Sequence, residues 1–128
     1  ASQPIPFSPF APRVGQLPTV GVTAVLRSAR EYEALLGLPA PPSIDFSAQW
    51  VVFYGAGVQP TTVAHAAITG VELTEGGHAL LVHTLLLVPE HGLELAPGRS
   101  LPFALATIPR PRCEIWSFRA EHSYAGFP

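Results

Sequence analysis

The sequence predicts a mainly β domain of the α+β class: an antiparallel β-sandwich or a partly closed barrel with one short α-helix. Fifteen prolines in 128 residues are too many for a helical protein, because proline lacks a backbone donor and clashes inside a helix. Several short runs of β-branched and aromatic residues, separated by glycine and proline, are typical of strands and turns. The length and the 48% hydrophobic content suit one domain with one core.

Residues 1–19 are predicted to form an extended, Pro-rich N-terminal arm that precedes a single β domain at residues 20–128. The arm carries five prolines among small and aromatic residues, a composition that favours extended or polyproline-like backbone. Its Ile5, Phe7 and Phe10 are apolar enough to dock, either on the domain itself or on a neighbouring chain. These three residues are the candidate assembly contacts.

The segment after the arm predicts a strand and then the single helix. Residues 20–26 are rich in β-branched residues and suit a strand. Ser28 and Glu31 form an S-x-x-E capping box, which marks the start of a helix. The apolar residues of 29–36 recur at helical spacing, and Gly37 stands where a helix C-terminus favours glycine.

Two further stretches predict a buried strand and a hairpin. Residues 50–54 (WVVFY) are aromatic or β-branched and read as a buried strand. Residues 63–73 and 79–88 flank Gly76-Gly77, a pair that favours a primed hairpin turn because both positions need positive φ. We expect both faces of this largely apolar hairpin to be covered. The predicted partners are Leu73–Leu80, Val71–Val82 and Thr69–Thr84 on one face, and Glu72–Leu81, Gly70–His83 and Ile68–Leu85 on the other.

The last third of the chain predicts a long irregular connection at 89–100 and two more strands. Residues 101–108 form a strand bounded by prolines, which strand ends tolerate. Residues 113–119 (CEIWSFR) alternate in polarity and suit a half-buried terminal strand. Cys113 has no second cysteine to pair with, and we expect a small buried thiol.

The composition excludes several classes of partner. A formal charge of −2 with 12% charged residues does not provide the positive potential that nucleic acid requires. The longest apolar run, residues 79–88, is far shorter than the roughly 20 residues of a membrane-spanning helix. We therefore expect no nucleic acid and no membrane-spanning segment.

The sequence contains no recognisable catalytic or metal-binding arrangement. The predicted hairpin places His65 and His83 on opposite faces and His78 in the turn, so we expect no metal site. Asp45 is the only aspartate, and neither a G-x-S-x-G elbow nor a Gly-rich phosphate loop is present. We expect no catalytic residues, no cofactor and no enzymatic activity.

One stretch of the sequence resembles a known family. The order of residues in this stretch matches the family's pattern: Asp45 and Phe46, then Val51 and Val52, then Gly57, Pro60 and Thr61. The resemblance is to the C-terminal domain family named after PrcB, a subunit of a secreted bacterial protease complex, and it covers roughly residues 21–110. The family's turn continues Gly-Gly-Tyr, where this chain has Thr62-Val63-Ala64. The resemblance implies an accessory or binding protein that is frequently exported and has no enzymatic role.

We therefore expect a non-enzymatic protein-binding or accessory module, secreted or in the cell envelope and associated with a protease. The alternative is a structural or self-assembling protein, in which the arm and the apolar sheet faces form a homo-oligomer; a cytoplasmic location also stays open. The turn at 59–62 is either a binding tip or a plain turn that enters a strand. The candidate binding residues are Gln59, Pro60, Thr61, Thr62, Arg110, Arg112 and Trp116.

Overall fold

Strands make up most of the chain in the computed structural model, which describes residues 2–89, 97–112, 114–115 and 117–127. One α-helix occurs in these ranges, and a single 3-10 turn at Glu75–Gly77 joins two long strands. The elements are β1 (Gln3–Pro4), β2 (Ser8–Phe10), β3 (Val22–Leu26), α1 (Ala29–Leu36), β4 (Gln49–Gly55), β5 (Gln59–Thr61), β6 (His65–Thr74), β7 (Ala79–Pro89), β8 (Pro97–Ser100), β9 (Phe103–Pro109) and β10 (Ser117–Phe127).

The strands form two four-stranded sheets and one small ribbon. The central sheet has the order β2-β9-β4-β3, the hairpin sheet has the order β1-β6-β7-β10, and β5 pairs with β8 in the ribbon. The predicted mainly β, sandwich-like fold is therefore confirmed. The described strands form separate sheets and do not make a closed barrel.

Strand β4 organises the layers because its side chains alternate between two apolar cores. Val52 and Tyr54 lie between the two sheets, where they contact buried residues of the hairpin sheet such as Val82. Val51 and Phe53 point the other way and pack with α1 and its surroundings. Helix, central sheet and hairpin sheet thus form three layers.

Helix α1 begins and ends where the sequence predicts. The Ser28 hydroxyl accepts a hydrogen bond from the Glu31 amide at 3.1 Å, and the Glu31 carboxylate accepts one from the Arg27 amide at 3.3 Å. Gly37 ends the helix in the left-handed conformation with φ of 76°. Tyr32 and Leu36 are fully buried against the central sheet.

The hairpin of β6 and β7 follows the prediction near its turn. Gly76 and Gly77 have φ of 72° and 94°, as a primed turn requires. The observed pairs there are the predicted ones: Leu73–Leu80, Glu72–Leu81, Val71–Val82 and Gly70–His83.

Beyond Gly70 the predicted register is wrong, because a β-bulge leaves Thr69 unpaired. Ile68 pairs with Thr84, not with Leu85, and Thr69 does not face Thr84. The extra residue turns Ile68 onto the core face, where it is 7% exposed, so the bulge keeps a large apolar side chain out of water.

The bulge also corrects the predicted position of His65. This residue pairs with Leu87 and therefore lies on the same outer face of the hairpin sheet as His83. The outer face is only partly covered by the described residues, since Leu85 and Leu87 are half-buried. The expectation that both hairpin faces are covered is met by the inner face, and by the outer face only near the turn, where Ala79 and Leu81 are buried.

The final strand differs from the predicted one in position and direction. We predicted residues 113–119, but β10 begins at Ser117 and runs parallel to β7 over eleven residues. Because the side chains alternate, Phe118 packs on the core between the sheets. Cys113 lies outside the described residues.

The N-terminal arm is part of both sheets. Strand β1 pairs with β6, and β2 pairs with β9. Ile5 and Phe7 pack against the core between the sheets, and Phe10 packs against the core below α1. Of the two docking modes expected for the arm, the structure contains the one on its own domain.

Candidate functional site

Three strand ends converge at one end of the central sheet. Because β3 and β9 both run antiparallel to β4, the residues that follow β3 and β9 lie beside the residues that precede β4. Arg27 follows β3 directly, and Arg110 follows β9 and donates its amide to the Ala48 carbonyl at 2.9 Å. With two strand spacings between them, the backbones of Arg27 and Arg110 are about 10 Å apart.

These residues line an open cleft of about 670 Å³, which we call the arginine cleft. Its walls include Arg27, Arg110 and Arg112, all with exposed side chains. Trp50 and Ile115 also line it and are only 7% and 8% exposed. The volume is in the range of ligand-binding clefts.

The Arg27 guanidinium is held in place by an aromatic ring. Its central carbon lies 4.9 Å from the centroid of the Trp50 ring, within the range of a cation–π contact. The contact orders the side chain before any ligand arrives, and it leaves the planar N–H groups available for hydrogen bonds. Trp50 is in turn fixed by its place in β4.

The electrostatics of the arginine cleft favour an anion. Its described lining contains three arginines and one carboxylate, Glu114. Among the described residues the ion pairs involve His83 with Glu72 and Glu121, so the three guanidinium groups have no carboxylate partner there. Positive charge is thus concentrated at one point of a chain whose formal net charge is −2.

A tight turn at Asp45 places the residues at the floor of the cleft. One carboxylate oxygen of Asp45 accepts hydrogen bonds from the Ser47 hydroxyl at 2.6 Å and from the Ser47 amide at 3.0 Å. These bonds, the hydroxyl bond foremost, lower the pKa of Asp45. The turn leads directly into Gln49 and Trp50 at the start of β4. The aspartate of the family-like motif therefore has a structural task next to the cleft.

The predicted binding residues at 59–62 lie at the opposite end of the central sheet. Gln59, Pro60 and Thr61 form β5 of the ribbon, and Thr62 and Val63 are exposed beyond it. Strand β4 separates this ribbon from Arg110, and its seven residues span roughly 20 Å. The predicted set is therefore divided between two regions.

The ribbon is held together by its own hydrogen bonds. Thr61 is fully buried, and its carbonyl accepts a hydrogen bond from the Ser100 hydroxyl at 2.5 Å. The side-chain amide of Gln59 donates from Nε2 to the Ala56 carbonyl at 3.1 Å. Of the four predicted tip residues, Pro60 and Thr62 are the exposed ones. The predicted irregular connection at 89–100 includes β8, while residues 90–96 lie outside the described residues.

Two common functional signatures, a metal site and a membrane-spanning helix, are absent from the described part of the chain. It holds no group of three or more His, Cys, Asp or Glu residues placed to bind a metal. The described helix is not long and apolar enough to cross a membrane. The candidate residue Trp116, next to the arginine cleft in sequence, lies outside the described residues.

No protein-family model, curated protein or solved structure matches this chain. The fold and the site define the class of protein: a mainly β, sandwich-like domain with a cationic cleft at one end of its central sheet. Of the residues that line the arginine cleft, Arg110 and Arg112 were predicted from the sequence, whereas Arg27 and Trp50 were not. The sequence does show that Arg27 directly follows a predicted strand. This position indicates a place beside Arg110 only when β3 and β9 are known to flank β4.

Proposed function

We propose that this chain is a non-enzymatic protein-binding module, which uses the arginine cleft to hold an acidic segment of its partner. The observation that carries the proposal is the grouping of Arg27, Arg110 and Arg112 around one cleft without carboxylate partners among the described residues. Guanidinium groups bind carboxylates through two parallel hydrogen bonds, which gives both affinity and orientation.

A protease is the partner class that we propose, and export from the cell is the setting. Both rest on the sequence resemblance to the PrcB C-terminal domain family over roughly residues 21–110. The absence of enzymatic activity is also proposed. It is supported by the described lining of the arginine cleft, which contains no histidine and in which the hydroxyl of Ser47 donates to Asp45.

A binding assay with a matched pair of peptides tests the proposal. A fluorescein-labelled Glu-rich decapeptide should bind the chain, and the peptide with every Glu replaced by Gln should not, because guanidinium recognition requires the charge. The double variant Arg27→Gln/Arg110→Gln should weaken binding by at least about tenfold. Fluorescence polarisation at two salt concentrations gives both results, and higher salt should weaken binding.

Arg99→Gln is the control for a change of charge alone. Arg99 is exposed on β8, in the ribbon at the far end of the sheet. Its loss should change affinity less than twofold. Equal weakening by the Arg99 variant, or equal binding of both peptides, would show that the arginine cleft is not the binding site.

Self-assembly is the second candidate function, and the arm favours it. Strand β1 pairs with β6, and β2 pairs with β9. A second copy of the chain has the same β6 and β9 with which the arm could pair. Exchange of such an element between two copies creates a dimer without new contacts.

A further inference from the structure

A second cleft lies where the sandwich is open at its side. Strand β3 is the outer strand of the central sheet, and β10 is the outer strand of the hairpin sheet. Between them is a cleft of about 450 Å³, which we call the edge cleft. Thr23, Tyr54, Phe118, His122 and Tyr124 are among its lining residues.

A chain of hydrogen bonds crosses the inner wall of the edge cleft. The hydroxyl of Tyr54 is bonded to Thr84, and the hydroxyl of Thr84 lies 2.6 Å from Nδ1 of His122. Burial, together with the nearby Tyr124, raises the pKa of Tyr54 and outweighs the bond with Thr84, which lowers it, so this phenol keeps its proton at neutral pH.

The donor direction in this series of hydrogen bonds determines whether Nε2 of His122 donates to or accepts from a ligand. Every donor in the chain is used when Tyr54 donates to Thr84 and Thr84 donates to Nδ1 of His122. The neutral imidazole then carries its proton on Nε2. The ring also lies 5.4 Å from the Tyr54 ring, tilted by 31°, which fixes its orientation. Since the side chain of His122 is exposed, this direction of hydrogen bonding makes the Nε2 proton available to a ligand.

Thr23 supplies a hydroxyl that has no partner among the described residues. It pairs directly with Tyr54 across β3 and β4, and its Oγ1 is buried without a hydrogen bond to any described group. Leaving a buried hydroxyl unpaired is costly. A ligand that accepts a hydrogen bond at this position would remove that cost.

The remaining wall combines apolar surface with further donors. The described lining of the edge cleft contains no Asp or Glu, whereas Gln59 and Tyr124 line it, the latter 70% exposed. Leu86 and Phe118 provide apolar surface. The edge cleft is therefore rich in donors, poor in negative charge and partly apolar.

We propose that the edge cleft binds a small organic carboxylate, whose anionic group accepts hydrogen bonds from Thr23 and His122 while its apolar body lies against Phe118 and Leu86. Mostly apolar clefts with a few convergent polar groups are the usual form of small-molecule sites. This proposal is independent of the arginine cleft, because the two clefts share no lining residue.

Benzoate is the probe, and benzamide is its neutral control of the same shape. Each is titrated into the isotopically labelled chain, followed by amide and imidazole NMR signals. Benzoate should shift the signals of Thr23, His122 and Tyr124 with saturation. Benzamide should bind about tenfold more weakly, since it lacks the charge that strengthens the hydrogen bonds.

Two variants separate a binding role from a structural one. Thr23→Val keeps the shape of the side chain and removes the unpaired hydroxyl, so the fold should be at least as stable while benzoate binds about tenfold more weakly. Thr69→Val, at the exposed bulge, should leave benzoate affinity unchanged.

The double variant Arg27→Gln/Arg110→Gln distinguishes the two clefts. It should retain benzoate-induced shifts at the edge cleft even though binding of acidic peptides is lost. The proposal is overturned if Thr23→Val binds benzoate as tightly as the parent chain or if benzamide binds as tightly as benzoate. It is also overturned if the benzoate-induced shifts disappear in the double variant Arg27→Gln/Arg110→Gln.

Discussion

Two hydrogen bonds to Asp45 stabilise the turn beside the arginine cleft, although Asp45 does not line the cleft itself. Both bonds from Ser47 reach the same carboxylate oxygen, and they favour the ionised form because only this form accepts both fully. The pKa of Asp45 is lowered as a result. The ionised carboxylate stabilises the turn that positions the start of β4 beside Arg27 and Arg110.

The lowered pKa of Asp45 predicts a pH effect with a definite sign. A group whose pKa is lower in the folded chain contributes stability above its unfolded pKa and loses it as the pH falls through the folded value. Replacing Ser47 with Ala should raise the pKa of Asp45 toward its ordinary value, because the stronger hydrogen bond is lost. NMR titration of the Asp45 carboxyl carbon measures this directly.

Ser43→Ala is the matched control for that titration. Ser43 is exposed in the preceding turn, and the hydrogen bonds to the Asp45 carboxylate come from Ser47. The control should leave the pKa of Asp45 unchanged. An unchanged pKa in the Ser47 variant would mean that the backbone amide alone holds the carboxylate in its ionised form.

At the scale of elements, the connection between β4 and β5 depends on a close approach of two backbone segments. Gly57 has φ of 77°, and a Cβ atom at this position would lie 2.8 Å from the Gly21 amide nitrogen. The amide of Val58 donates to the Thr19 carbonyl at 3.0 Å. The ribbon therefore starts from a contact with the segment that leads into β3.

Gly57→Ala and Gly76→Ala form a matched pair of variants that separates strain from crowding. Both glycines have φ close to 75°, but a Cβ at Gly76 would meet nothing within 4 Å. Gly76→Ala should cost roughly 1 kcal/mol of unfolding free energy from backbone strain alone. Gly57→Ala should cost about 1–3 kcal/mol more from overpacking. Urea denaturation measures both, and equal losses would show that the backbone contact at Gly57 is easily relieved.

Short-range features of these elements follow from the sequence, and long-range ones do not. The Ser28 cap, the Gly37 end and the Gly76-Gly77 turn each depend on residues a few positions apart, so local rules predict them. The bulge at Thr69 depends on whether Ile68 or Thr69 is buried, and that depends on how the central sheet packs against the hairpin sheet. No local pattern contains that information.

The candidate site shows the same division. Arg110 and Arg112 are visible in the sequence as a pair of cations beside prolines. Their neighbour Arg27 is 83 positions away from Arg110 along the chain, and the two meet because β3 and β9 flank β4. Predicting the arginine cleft requires the order of the strands, which hydrophobic periodicity does not supply.

At the scale of the whole molecule, the arm completes both sheets at once. Deleting residues 1–10 should therefore lower the melting temperature, because one edge strand is lost from each sheet together with the packing of Ile5, Phe7 and Phe10. These partly buried side chains amount to about 3 kcal/mol, or roughly 10 °C for a chain of this size. Circular dichroism measures the shift, and Val20→Ala, at a residue that is 71% exposed, should shift it by no more than about 1 °C.

Light scattering coupled to size-exclusion chromatography tests the self-assembly alternative on the same samples. If copies exchange arms, the full chain should form dimers whose fraction rises with concentration, and the deletion should abolish them. A full chain that stays monomeric at every concentration would exclude assembly through the arm.

The position of the arm also has a consequence for the order of events during synthesis. Ser8 in β2 pairs with Thr107, and Gln3 in β1 pairs with Leu73, so the arm leaves the ribosome well before the strands with which it pairs. Contacts between such distant parts of a chain form slowly. Until β6 and β9 have emerged, the apolar side chains of the arm stay exposed and accessible to chaperones, and the central sheet is complete only after β9 has been translated.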